Sequence, residues 1–366
     1  MSRSRATPIP DVPSSRDASP PRADGYRAPR WLPGGHAQTV WPYRLRRPVA
    51  SLRRERVDTP DGDFWDFDWL DAGRPRAGDS GARTPADAAP TLVLFHGLEG
   101  GSSSHYARAL FVALGAIGWC GVVPHFRGCS GEPNRLPRAY HSGDYDEVAA
   151  MLSAVRERAG NRAPMYAVGV SLGGSALLNW LGRAGSDAAR VVRAAAAVSA
   201  PLDLTAAGIA IGRGANRIYT HHFLATLKPK SLAMSRRFPG LLDPARIRRA
   251  RSLHAFDDAV TAPLHGFSDA LDYWARASSK PWLSHIAVPT LVLNARNDPF
   301  IPARVLPGPR EVSASIVLEQ PRQGGHVGFP CGPFPGSAEW LPRRLLHFFL
   351  HEADANADAP RNLQGV

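Results

Sequence analysis

Residues 165–174 read Met165-Tyr166-Ala167-Val168-Gly169-Val170-Ser171-Leu172-Gly173-Gly174, and they decide the fold. The first six form a short run without polar alternation, which suits a strand buried on both faces. From Leu172 to Leu181 the apolar residues return at helical spacing. The pattern G-x-S-x-G sits at the junction and occurs once in the chain. A serine between strand and helix must occupy a sharp, strained turn, and glycines on either side let the two backbones pass closely. The helix start beneath it supplies free N–H groups and a partial positive charge.

Outward from this turn, further apolar runs recur at Phe64–Leu70, Thr91–Phe95, Cys120–Val123, Ala194–Val198, Thr290–Leu293 and Ser315–Leu318. Helical patterns lie between most of them, at Tyr106–Ile117, Asp144–Arg158 and Leu341–Leu350. The second carries Val148, Met151, Leu152 and Val155 on one stripe. Such alternation predicts an α/β fold, with a mostly parallel, doubly wound sheet and helices on both faces. Chemistry in such sheets sits at the carboxyl ends of the strands.

A serine hydroxyl needs a base, and the base needs an orienting group. His326, in Gln323-Gly324-Gly325-His326-Val327-Gly328-Phe329, follows the last strand on a glycine-flanked loop. Asp298 lies on the turn after Thr290–Leu293. The order Ser171, Asp298, His326 is that of α/β hydrolases and differs from both familiar serine-protease orders. Backbone N–H groups of Leu98, after the strand Thr91–Phe95, and of Leu172 are the expected oxyanion donors. His96 reads as structural, and His105 as helix start or pocket lining.

Longer stretches carry a family resemblance. Trp31-Leu32-Pro33-Gly34-Gly35-His36-Ala37-Gln38-Thr39, His96-Gly97-Leu98-Glu99-Gly100 and Arg138-Ala139-Tyr140-His141-Ser142-Gly143 belong to it. So do Thr261-Ala262-Pro263-Leu264-His265-Gly266-Phe267, Asp298-Pro299-Phe300 and His326-Val327-Gly328-Phe329. Together they resemble the α/β-hydrolase superfamily, and within it family 4, the YheT-like hydrolases. The resemblance spans about residues 31–350 and implies a serine esterase or lipase-like enzyme without a cofactor. It supports Ser171, Asp298 and His326 as the triad. Asn297 stands where many members carry a second Asp.

The 366 residues carry 44 Lys+Arg against 32 Asp+Glu, a net charge of +12, and only three of the basic residues are Lys. Residues 1–56 hold +8 and residues 205–256 hold +9, which leaves −5 on the remainder. The hydrolase body is therefore mildly acidic, with a basic arm and a basic insertion. No nucleic-acid reader motif accompanies that charge. Three Cys without a C-x-x-C pair suit free thiols in a reducing cytoplasm, and no secretory leader or membrane span is expected. No metal site is expected either, because the adjacent His221 and His222 point apart on a helix.

The expected organisation is a disordered basic tail over 1–28, a first core part over 29–203, crossover helices and a helical cap over 204–285, a second core part over 286–352, and a tail over 353–366. Residues 71–90 read as an exposed loop. In the cap, Leu224, Leu227, Leu232, Met234, Phe238, Leu241 and Leu242 either line an acyl pocket or pack on one another. The expected reaction is hydrolysis of short- to medium-chain esters or acylglycerols, with peripheral contact to anionic surfaces. An acyltransferase using the same triad, and a non-catalytic anion- or lipid-surface-binding protein, are the alternatives.

Overall fold

Eight strands form one sheet: β1 (Arg53–Asp58), β2 (Phe64–Leu70), β3 (Thr91–Phe95), β4 (Cys120–Pro124), β5 (Met165–Val170), β6 (Ala194–Val198), β7 (Thr290–Leu293) and β8 (Ile316–Glu319). Their spatial order is β1-β2-β4-β3-β5-β6-β7-β8. The strands from β3 to β8 run parallel, and the β1–β2 hairpin joins antiparallel at the β4 edge. This computed structural model describes residues 25–45, 49–72, 89–160 and 163–353. Most of the expected 1–28 and 353–366 tails, and of the 71–90 loop, lies outside the described residues.

Alternate residues of each strand feed opposite faces. In β5, Met165 and Ala167 join one core with Met151, Leu152 and Val155 of α3 (Tyr145–Ala159) and Leu177 and Leu181 of α4 (Leu172–Ala184). Tyr166 and Val168 join the other, with Leu110 and Leu114 of α2 (His105–Ala116) and Leu341 and Leu345 of α11 (Trp340–His347). Both faces of the parallel strands are thus covered, which is why their sequences do not alternate.

Strand β1 departs from the sequence reading, which placed no strand over Arg-Arg-Glu-Arg-Val-Asp. It is an edge strand whose outward residues meet carboxylates directly opposite. Arg54 faces Asp68 and Arg56 faces Asp66 in register, each through a two-point ion pair at 2.7–2.9 Å. Charge pairing across the hairpin replaces the apolar signal by which the other strands are recognised.

Between β6 and β7 the chain folds into α5 (Leu204–Ile211), α6 (Arg217–Arg237), α7 (Pro244–Arg249), α8 (Leu253–Ala259), α9 (Thr261–His265) and α10 (Ala270–Ala277). Asp203, Asp243, Ser252 and Asp269 cap four of them by accepting N–H groups of the first turn. Leu224, Leu242, Ile247, Phe256 and Val260 build a core within this segment. Among the described residues, no helix is long and apolar enough to cross a membrane.

Candidate active site

The close approach read from Gly169 and Gly173 is sterically required. A Cβ on Gly173 would lie 2.5 Å from the His96 carbonyl oxygen, and one on Gly169 would lie 2.5 Å from that of Gly173. Held between β5 and α4, Ser171 adopts φ +53° and ψ −121°, a conformation side-chain-bearing residues rarely enter. Its own N–H donates to the Val198 carbonyl at 2.8 Å, anchoring the turn to the neighbouring strand.

The structure brings the three predicted side chains into one chain of hydrogen bonds. Ser171 Oγ lies 2.9 Å from His326 Nε2, and His326 Nδ1 lies 2.8 Å from Asp298 Oδ2. The Asp298 side chain is 0% exposed, and its other oxygen accepts the Phe300 N–H at 2.8 Å. With that oxygen committed, Oδ2 is left to accept from Nδ1, so Nε2 is free to accept the serine proton. The imidazole rests against the Phe300 ring, 4.3 Å between centroids.

Leu98 and Leu172 line the same cavity as Ser171 and His326. Gly97 abuts the serine, since a Cβ there would lie 3.2 Å from that of Ser171. The N–H groups of this turn are otherwise engaged. Gly97 donates to Tyr106 Oη (2.8 Å), Glu99 to Tyr140 Oη (2.8 Å), Gly100 to the Gly97 carbonyl (3.0 Å) and Gly101 to Ser104 Oγ (3.1 Å). Among the described residues the Leu98 N–H alone in the turn has no such partner, as an oxyanion donor requires.

His96 is structural, as its sequence position suggested. Its Nε2 accepts the Phe126 N–H at 3.1 Å, so Nδ1 carries the hydrogen donated to the Gly97 carbonyl at 2.8 Å. Burial pushes its pKa down to about 3, keeping it neutral. His105 opens α2 and contacts the Val327 carbonyl at 3.3 Å. His221 and His222 are exposed on α6.

Sequence reasoning assigned no role to Gln38 or Thr39, although both lie in a stretch that carried the resemblance. They sit on α1 (Gly35–Val40), against the His326 loop. Thr39 Oγ1 accepts the His326 N–H at 2.9 Å. Gln38 is fully buried, and its Oε1 accepts from Gly324 N–H and Asn297 Nδ2, both at 2.9 Å. Its Nε2 donates to the Leu32 carbonyl at 2.9 Å and to Gln323 Oε1 at 3.3 Å. Asn297 in turn accepts the Gly325 N–H at 3.0 Å, which gives the departure from the family pattern a local function. The loops that carry His326 and Asp298 are thus both tied to α1.

The cavity measures about 630 Å³. Of the seven apolar candidates, Leu227, Met234 and Phe238 line it. Leu224 and Leu242 instead belong to the core of the helical segment, Leu232 packs against that core, and Leu241 is exposed.

A family model described as the alpha/beta hydrolase fold matches residues 90–333. The chain belongs to the α/β-hydrolase family. Among its relatives, this α/β hydrolase is 39% identical over 315 residues to "Putative esterase YheT" of Escherichia coli K12, covering 85% of this chain and 88% of that one. It is 29% identical to mouse phospholipase ABHD3, covering 91% and 80% of the two chains. The Pyrococcus furiosus esterase Pf2001 shares the fold at a TM-score of 0.50 and 14% identity, over 84% of this chain and 98% of that one. The match to YheT over most of both chains agrees with the family-level resemblance carried by the quoted motifs.

Proposed function

We propose that this esterase/lipase-type α/β hydrolase cleaves carboxylic esters through an acyl-enzyme on Ser171, with His326 as general base and acid and Asp298 as its orienting carboxylate. The observation that carries the reading is the unbroken relay from Ser171 Oγ to His326 to Asp298, at 2.9 and 2.8 Å, opening on an apolar-lined cavity.

In the acylation half, His326 Nε2 takes the serine proton as Oγ attacks the ester carbonyl. The N–H groups of Leu98 and Leu172 receive the developing oxyanion, and each such donor is worth about 10²–10³ in rate. The Nδ1–Asp298 bond stabilises the imidazolium, which then protonates the leaving alcohol. Water enters, loses a proton to His326 and attacks the acyl carbon, releasing the acid and restoring Ser171. Leu227, Met234 and Phe238 offer the acyl chain an apolar wall, which favours short- to medium-chain esters or acylglycerols. The names of the relatives, esterase and phospholipase, fit this substrate class. Exposed Arg residues on α6 and α7 support a peripheral contact with anionic surfaces.

The test is a panel of p-nitrophenyl esters from acetate to palmitate, run with the full chain and with Ser171→Ala. Turnover should peak at short to medium chains and fall by at least about 10⁴ in the variant. Equal turnover by both proteins would refute the assignment.

A further inference from the structure

Glu99, one residue beyond Leu98, sits at φ +56°, in the left-handed region that a side-chain-bearing residue enters at a cost. Three contacts keep it there. Its N–H donates to Tyr140 Oη at 2.8 Å, and the Tyr140 hydroxyl donates to Glu99 Oε1 at 3.1 Å. Lys230 Nζ, from α6, pairs with Glu99 Oε2 at 2.7 Å. The Glu99 side chain is only 8% exposed, so its charge depends on these partners for stabilisation. Tyr140 is itself fixed, stacked on Phe126 with ring centroids 5.2 Å apart and planes within 4°. Glu99, Tyr140 and Lys230 all line the cavity onto which Ser171 opens.

The Gly97 carbonyl and the Leu98 N–H belong to one rigid, planar peptide unit. That carbonyl accepts from Gly100 N–H and His96 Nδ1, so the Leu98 N–H points the opposite way, out of the turn. The neighbouring N–H groups on either side are held by the hydroxyls of Tyr106 and Tyr140. Releasing Glu99 would let it leave the left-handed region and carry Gly100 with it, loosening the Gly100 N–H bond to the Gly97 carbonyl that fixes the peptide unit bearing the donor.

Resting on the reading of Leu98 as an oxyanion donor, we propose that Lys230, Glu99 and Tyr140 are positioning residues that couple the seating of α6 to the direction of the Leu98 N–H. None of them touches the ester bond. The donor is aimed at the reacting carbonyl oxygen while α6 lies over the site, and it loses that aim when the Lys230–Glu99 pair opens. Because the oxyanion exists only beyond the ground state, the clamp acts on kcat rather than KM.

The experiment compares the full chain with Lys230→Gln, Lys230→Arg, Glu99→Gln, Tyr140→Phe and the Lys230→Gln/Glu99→Gln double change. The Lys230 side chain is 46% exposed, so its replacement leaves the fold intact, which circular dichroism and Tm verify. Steady-state kinetics use p-nitrophenyl butyrate, and butylboronic acid serves as a probe that becomes a tetrahedral anion on the serine. Lys230→Gln and Tyr140→Phe should each lower kcat by about 10–100-fold, with KM within about threefold of wild type. Boronate affinity should fall by a matching factor. Lys230→Arg should recover most of the loss, and the double change should be no worse than the poorer of the two single changes. Unchanged kcat, or a loss confined to KM, overturns the clamp, because α6 would then only shape the pocket. Turnover abolished by Ser171→Ala but insensitive to these changes retires the clamp alone. Wild-type chain without Ser171-dependent turnover retires the oxyanion reading with it.

Discussion

Replacing Gln38 with leucine tests whether the catalytic loops are held from the N-terminal side. Leucine is close in size, so the change removes hydrogen bonds with little change of volume. Four bonds are lost: two accepted from Gly324 and Asn297, and two donated to Leu32 and Gln323. A buried polar group left without its partner costs about 1–3 kcal/mol. The Gly324 N–H, the Asn297 amide and the Leu32 carbonyl are the groups stranded around a side chain with no solvent exposure. Partial relaxation of three such groups gives a loss of about 3–4 kcal/mol. At roughly 2 °C per kcal/mol for a large domain, Tm should drop by about 6–8 °C. Thr39 still holds the His326 N–H, so the base should be loosened rather than lost, and kcat should fall about tenfold. Thermal melts followed by circular dichroism, alongside ester kinetics well below the melt, measure both effects. A variant that melts within about 1 °C of wild type and keeps its kcat would show that Gln38 fills space and ties nothing.

Two further outcomes follow from the same geometry. Asp298→Asn should lower kcat/KM by about 10⁴ with little loss of stability. The amide oxygen would keep the Phe300 N–H, turning the NH₂ toward His326 Nδ1 and driving the proton onto Nε2, where it blocks the serine; a loss below tenfold in ester kinetics would refute this. His96 and His265, pushed down to about 3 and about 4 chiefly by burial, should stay neutral in the folded chain from pH 8 to pH 5. Unfolded histidine takes up a proton below about 6.5, so their stabilisation is complete above that pH and is lost as pH falls toward the folded values. NMR should show both C2–H resonances unmoved across that range, and His265→Gln should flatten the acid limb of stability measured by urea denaturation.

The parallel strands, and the three side chains of Ser171, Asp298 and His326 that the structure brings together, were legible because each obeys a local rule. Strands buried on both faces have to be apolar, an elbow serine needs its glycines, and an acid and a base at successive strand ends keep their order in the chain. Strand β1 obeys a different rule, since its partners Asp66 and Asp68 are more than nine residues away and supply charge in place of burial. The Glu99–Lys230 pair spans the turn after β3 and a helix inserted after β6, so neither residue's surroundings disclose the other. Helix α6 also runs through Pro229, a residue that by itself would argue for a break. The apolar residues of that segment divide between cavity wall and local core on nothing visible in their spacing. Gln38 and Thr39 stood inside a stretch noticed only for its resemblance, and a buried polar side chain reveals its purpose only once its partners are in place.

Those partners lie far along the chain. Thr39 meets His326 across 287 residues, and Gln38 meets Gly324 across 286. At synthesis rates of about 5–20 residues per second, α1 leaves the ribosome roughly 15–60 s before the loop it supports. Ser171 emerges midway, able to form its strained turn while His326 has yet to be made. The hydrogen bonds from Ser171 to His326 and on to Asp298 can therefore form only late, when the segment around His326 closes upon α1.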